Sequence, residues 1–180
     1  MRSRRLDNGT RREGIGLVRV RRVPPMPEIP DQIRDFLSGS RFAVAGVSRS
    51  RQQPANTILR KLRDAGFEAI PINPNADQLE GTACYPDLSS IPGALDGVVI
   101  ATHPTVSASV VAQCAEANVD RVWFHRSFGD GSVSDEAVQL CRDLGVEAIV
   151  GGCPLMFCEP IDFAHRCMRW WLQRQGTVPS

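Results

Sequence analysis

Residues 41–74 read RFAVAGVSRSRQQPANTILRKLRDAGFEAIPINP, and this stretch decides the fold. Residues 42–47 form a short apolar run rich in β-branched and small side chains, the composition of a central parallel strand covered on both faces. Gly46 turns the chain at its end. Pro54 suits the first helical position, which has no N–H partner to lose, and Ile58, Leu59 and Leu62 then share one face at helical spacing. Gly66 supplies a left-handed stop before a second strand that ends at Ile72. Strand, glycine turn, helix, glycine stop and strand predict the first βαβ half-unit of a nucleotide-binding sheet.

The alternation continues downstream. A third strand is predicted over 97–101, after Asp96, and Val106, Val110, Val111 and Cys114 mark a helix with Thr105 as N-cap and Asn118 as stop. A fourth strand over 121–124 leads into a glycine-containing loop at 125–132. A helix over 134–144 carries Asp135 and Glu136 in its first turn, where negative charge is favoured, and Gly145 just past its end. A fifth strand over 147–150 is broken by Gly151, Gly152, Cys153 and Pro154. A terminal helix over 161–173 sets Ile161, Phe163, Ala164, Met168, Trp171 and Leu172 within one broad stripe. Residues 31–37 predict a short helix across the sheet edge, and 73–92 a polar, proline-studded connection containing Cys84, Tyr85 and Leu88. The expectation is an α/β, Rossmann-like, doubly wound parallel five-stranded sheet in the order 3-2-1-4-5, with a C-terminal helix. Its layout is a basic, disordered extension over 1–29, the Rossmann-like domain over 30–160 and the final helix and tail over 161–180.

A chain of 180 residues supports one well-buried core. The net charge of +1 hides an asymmetry, because eight arginines stand against Asp7 and Glu13 in residues 1–27, leaving the remaining body net negative. With no aromatic residue among those charges, the arm is read as a solvated extension and not as a specific nucleic-acid contact. A start at Met26 would remove it. No apolar run approaches the ~20 residues of a membrane span, and no apolar stretch follows the arginines as in a secretory signal. A cytoplasmic protein is expected, and with it reduced thiols: Cys114 and Cys141 fall on apolar helix faces as small core hydrophobes.

In such a sheet ligands bind outside the carboxyl ends of the strands, at the switch point. The residues landing there are Gly46, Val47 and Ser48 after strand one, Asn73 and Pro74 after strand two, and Thr102, His103 and Pro104 after strand three. The helix after Ser48 points its N–H groups at that crevice, and Arg49 and Arg51 add positive charge, so an anionic ligand is expected. Arg60, Lys61 and Arg63 are read as solvating a helix face. A dinucleotide fingerprint needs glycines spaced G-x-G-x-x-G, yet Ser48 and Arg51 stand where the second and third belong. The second strand ends in Ile72, Asn73 and Pro74 instead of an acid that would hold a ribose. Hydride chemistry with NAD is disfavoured.

Residues 46–92, GVSRSRQQPANTILRKLRDAGFEAIPINPNADQLEGTACYPDLSSIP, followed by VVIATHP, VWFH and GCP, resemble the CoA-binding domain proteins. These are stand-alone relatives of the nucleotide-binding domain in the succinyl-CoA synthetase α subunit. The resemblance covers roughly residues 30–160 and implies a Rossmann-like domain that takes coenzyme A or an acyl-CoA, a small-molecule nucleotide ligand. It implies phosphates at Gly46, Val47, Ser48, Arg49 and Arg51, and adenine near Asn73, Pro74, Thr102, His103 and Pro104. The synthetase's phosphohistidine lies in a separate domain for which this chain has no room, so ligase activity is not implied.

Cys153, Cys158, His165 and Cys167 raise a metal reading, but C-x4-C-x6-H-x-C lacks a paired C-x2-C knuckle, and positions 165 and 167 point about 200° apart on a helix. No metal is expected. A catalytic alternative makes Cys153 a thiol nucleophile acting on CoA thioesters or in redox chemistry, with His125 as base and no identified orienting acid. A third alternative is an interaction module with a vestigial pocket. Paired Trp170 and Trp171 make the C-terminal helix the expected surface of a homo-oligomer. Binding without a reaction of its own is the expectation carried forward.

Overall fold

The computed structural model describes residues 29–126 and 131–176. The expected disordered arm, apart from Ile29, lies outside the described residues, as do residues 127–130 of the loop after strand four. In chain order the elements are α1 (Asp31–Leu37), β1 (Arg41–Ala45), α2 (Pro54–Asp64), β2 (Glu68–Ile72), β3 (Gln78–Leu79), β4 (Thr82–Ala83), β5 (Gly97–Ile100), α3 (Pro104–Glu116), β6 (Arg121–Phe124), α4 (Asp135–Leu144), β7 (Glu147–Val150), a 3₁₀ turn (Pro154–Met156) and α5 (Phe163–Arg174).

Five strands pair in parallel in the order β2-β1-β5-β6-β7. Strand one therefore has strands two and three on its two sides, and the expected order 3-2-1-4-5 is corrected to 2-1-3-4-5. The cause lies at the start of β5. The Asp96 carboxylate accepts the backbone amides of Ser40 at 2.7 Å and Arg41 at 2.9 Å, and the Asp96 amide donates to the Arg41 carbonyl oxygen at 2.8 Å. These bonds set Gly97 opposite Phe42 and Ile100 opposite Ala45. The outer position beyond β2 goes instead to a hairpin of β3 and β4, inside the stretch expected to be irregular. Its two-residue turn, Glu80 at φ 49° and Gly81 at φ 78°, has the paired positive φ values of tight hairpins.

The sheet buries both faces, as continuous apolar strands require. Phe42 and Val44 face α1, α2 and the segment after β7, while Ala43 and Ala45 face α3 and α4. Helix α1 packs beneath the starts of the central strands and not across the edge: Phe36 stacks on Phe42 at 4.9 Å, meets Trp123 edge-on at 5.5 Å and occupies the space a side chain at Gly97 would need. Residues 151–158 are wholly buried and run between β7 and α5, with Phe157 against Trp123 and the Trp123 indole N–H donating to the Gly151 carbonyl oxygen at 3.0 Å.

Helix stops fall where expected, at Gly145 in the left-handed region and at Asn118 with φ 54°. The start of α3 is different. His103, not Thr105, is its N-cap, and its ring accepts from the Thr105 amide, because Pro104 already fills the first helical position. Cys114 and Cys141 are buried, as their helical spacing predicts. Helix α5 departs from its expected stripe: Arg169 and Leu172 face inward, while Phe163 is 81% exposed and Trp171 47%. Arg169 reaches the core by laying its guanidinium 4.6 Å from the Phe157 ring centroid, a contact that hydropathy does not register.

Candidate ligand site at the switch point

With β5 beside β1, the switch point lies between these two strands, where the loop after strand one meets the loop after strand three. The meeting is close. Gly46 has φ +102°, and a Cβ there would stand 2.4 Å from the Ala101 carbonyl oxygen. Only glycine lets the first loop turn away against its neighbour.

Beyond Gly46 the loop is fixed by two asparagines. Asn73, at the end of β2, donates to the Val47 carbonyl oxygen at 2.7 Å and accepts from the Asn75 amide at 2.8 Å. Asn56, fully buried in the first turn of α2, accepts from the Ser48 amide at 3.1 Å and donates to the Ser48 carbonyl oxygen at 2.7 Å. The Ser48 hydroxyl accepts from the Ser50 amide at 3.2 Å. Helix α2 then begins at Pro54 with no side-chain cap on its Gln53 N-cap, so the positive end of the helix faces the loop with no side chain of that residue across it.

The basic residues divide into two kinds. Arg49 and Arg51 are exposed on the loop; Arg49 donates to the Asn75 carbonyl oxygen at 2.8 Å, and Arg51 pairs with Glu80 at 3.4 Å. Arg60 and Arg63 hold the hairpin instead of merely solvating α2: Arg60 meets Glu80 at 2.7 Å, and Arg63 donates to the Ala69 and Glu80 carbonyl oxygens and to the Thr82 hydroxyl. Lys61 donates to the Pro160 carbonyl oxygen. The Glu80 carboxyl is held below the usual carboxylate range by its bond from Asn56, helped by Arg60 and Arg51 against the opposing effect of burial. Neither Asn56 nor Glu80 was singled out from the sequence. A Glu-Gly pair at a turn was the available signal, and it is weaker than Asn-Gly.

On the other side of the crevice, Thr102 meets the buried Ser107 hydroxyl at 3.3 Å, and Ser107 donates to the Ser132 carbonyl oxygen at 2.6 Å. The Ser132 hydroxyl bonds the Ile100 and His125 carbonyl oxygens at 2.5 and 3.0 Å. This chain ties the start of α3 to the end of β6. His103 is exposed, with its Nδ1 2.9 Å from the Thr105 hydroxyl, and Pro104 starts α3. Gly46, Val47, Ser48 and Asn73 are thus joined by direct bonds or contact to one rim, Thr102 abuts Gly46, and Pro74 is exposed beside Asn73.

His125 and Cys153 follow adjacent strands, linked through the Arg126–Gly152 bridge. Burial holds the His125 imidazole below its ordinary range. Cys153 is 4% exposed within the core that includes Leu155, Met156 and Phe157. Cys158 is also buried, its thiol pushed up to about 11 by desolvation. Asp162 caps α5 by accepting from the His165 amide at 2.9 Å, its other carboxylate oxygen lies 2.6 Å from the His165 Nδ1, and Cys167 is exposed. Among the described residues no group of three or more His, Cys, Asp or Glu could hold a metal ion. Nor is any helix among them long and apolar enough to cross a membrane.

A family model described as a CoA binding domain matches residues 40–159. The chain belongs to the CoA binding domain family. Among the relatives of this family member is ADP-forming acetate–CoA ligase II of Archaeoglobus fulgidus, 36% identical over 93 residues, which are 51% of this chain and 14% of the ligase. The chain therefore spans about one seventh of that enzyme. The uncharacterized protein YneT of Bacillus subtilis is 28% identical over 123 residues, covering 68% of this chain and 88% of YneT. Among solved structures, a conserved hypothetical protein of Pyrococcus furiosus aligns with a TM-score of 0.55 and 32% identity over 61% of this chain and 90% of its own. A hypothetical protein of Pyrococcus horikoshii, with a TM-score of 0.64 and 23% identity over 73% and 90%, shares the fold.

Proposed function

We propose that this protein captures coenzyme A or an acyl-CoA at the switch point and has no reaction of its own. The observation that supports this reading is the loop from Gly46 to Arg51, pressed against the end of β5 and leading into the uncapped, proline-started end of α2. The backbone after Gly46 and the Arg49 and Arg51 side chains hold the ligand's phosphates, and Asn73, Pro74 and the Thr102–His103–Pro104 turn border its adenine. The ligase activity of the long relatives is not carried over, because the match covers only a small part of them.

Calorimetry and thermal shift with CoA, acetyl-CoA, NAD and ATP side by side test this. A CoA species at about 100 times its Kd stabilises the folded chain by about 2.7 kcal/mol, which raises its melting point. NAD is expected to give no shift. Absence of a shift with both CoA species overturns the proposal.

The exposure of Phe163, Trp170 and Trp171 on α5 supports self-association through that helix. Sedimentation velocity on the protein and on a W171E variant checks it. A monomer at all concentrations removes this part of the reading.

A further inference from the structure

Glu80 occupies the tip of the β3–β4 hairpin with its side chain 4% exposed, a placement that is costly for a carboxylate unless it is paired. Its partners are unequal. Asn56 donates to it at 2.8 Å and is itself fully buried, holding Ser48 through both backbone groups. Arg60 lies at 2.7 Å with its side chain 36% exposed, whereas Arg51 lies at 3.4 Å with its side chain 78% exposed. One carboxylate faces two guanidinium charges, and the outer one can leave without stranding it.

We propose that Glu80 sets the specificity of the phosphate loop as an internal substitute for the ligand's phosphate: it holds Arg51 in the ligand-free protein and yields it to the incoming phosphate, while Arg60 keeps Glu80 paired. The proposal rests on the CoA reading above. The exchange is one of ion-pair partners alone, and a guanidinium fork donates to a phosphate and to a carboxylate in the same planar geometry. Selectivity follows from the competition. A ligand must outbid a carboxylate already in place, which a doubly charged phosphate does and a simple carboxylate does not. Because Asn56 links Glu80 to both backbone groups of Ser48, the same residue that restrains Arg51 also sets the shape of the loop the phosphate enters.

Glu80→Gln tests this, since glutamine keeps an oxygen acceptor for Asn56 and Arg60 but removes the charge that competes for Arg51. In calorimetric titration of the full chain with CoA, E80Q is expected to bind about fivefold tighter than the unsubstituted protein. Arg51→Gln alone weakens CoA binding, and adding E80Q to R51Q changes Kd by less than about twofold, because the competitor has lost its target. A role in folding alone would move melting temperature without this coupling. Equal tightening in both backgrounds, weaker or unchanged binding by E80Q, or an R51Q protein that binds CoA as well as the original overturns the proposal. Failure of the unsubstituted protein to bind CoA overturns the CoA reading itself, and this proposal with it.

Discussion

Gly46 and Ala101 sit so close that a Cβ on Gly46 would stand 2.4 Å from the Ala101 carbonyl oxygen. Both obstacles to a side chain there, the positive φ and the backbone neighbour, belong to the junction of β1 with β5. Gly46→Ala is expected to cost roughly 2–4 kcal/mol through strain and overpacking together. Urea denaturation measures it, and a loss below about 0.5 kcal/mol would show that the two loops separate freely.

Asp96 makes a second prediction, about acid. The amides of Ser40 and Arg41 hold its carboxyl below the usual carboxylate range. A proton therefore binds the unfolded chain more readily, so the stability Asp96 contributes is fully present above the ordinary aspartate pKa of about 3.9 and is lost as pH falls below it. Asp96→Asn is expected to lose about 1–2 kcal/mol at neutral pH and to show a shallower decline below pH ~4. Parallel acid-unfolding curves for the two proteins would contradict it.

His125 governs a different window. Its imidazole is pushed down by burial, so the folded protein resists a proton that the unfolded chain accepts near pH 6.5. Stability is therefore expected to fall as pH drops from about 7 towards 5, and His125→Gln to flatten that slope. Chemical denaturation at half-unit pH steps reads the effect, and an unchanged slope in the variant refutes it.

Cys153→Ser separates ligand capture from thiol catalysis. The side chain is 4% exposed in the core, so serine there is expected to cost about 1–3 kcal/mol for a buried hydroxyl while CoA affinity stays within twofold. A thioester-cleaving activity present in the original protein and abolished in C153S would move the assignment to an enzyme.

Much of this molecule was legible in residues 41–74, because strand composition, Pro54, the Ile58–Leu59–Leu62 face and Gly66 all point to the same local structure. The expected loop residues converge for the same reason, since the carboxyl ends of parallel strands lie on one edge. Strand order was not legible: two apolar strands of similar length carry no label for which side of β1 they join, and the label is the Asp96 bond to Ser40, 56 residues away. The β3–β4 hairpin escaped because two-residue strands are too short to show a period. Glu80 and Asn56 escaped with it, as their pairing depends on that hairpin folding back over α2. Arg169 defied the α5 stripe because a guanidinium can bury itself against an aromatic ring.

The pairing of β5 with β1 closes a long excursion of chain that contains α2, β2 and the hairpin. Such a closure is entropically slow to make, though its cost grows only with the logarithm of its length. A ligand lying across the ends of these two strands is therefore a clasp on the largest loop in the sheet. Its grip should slow the opening of β1 from β5 more than it slows motion at β7, and hydrogen exchange would see protection spreading from Ala45 and Ala101 before it reached Val150.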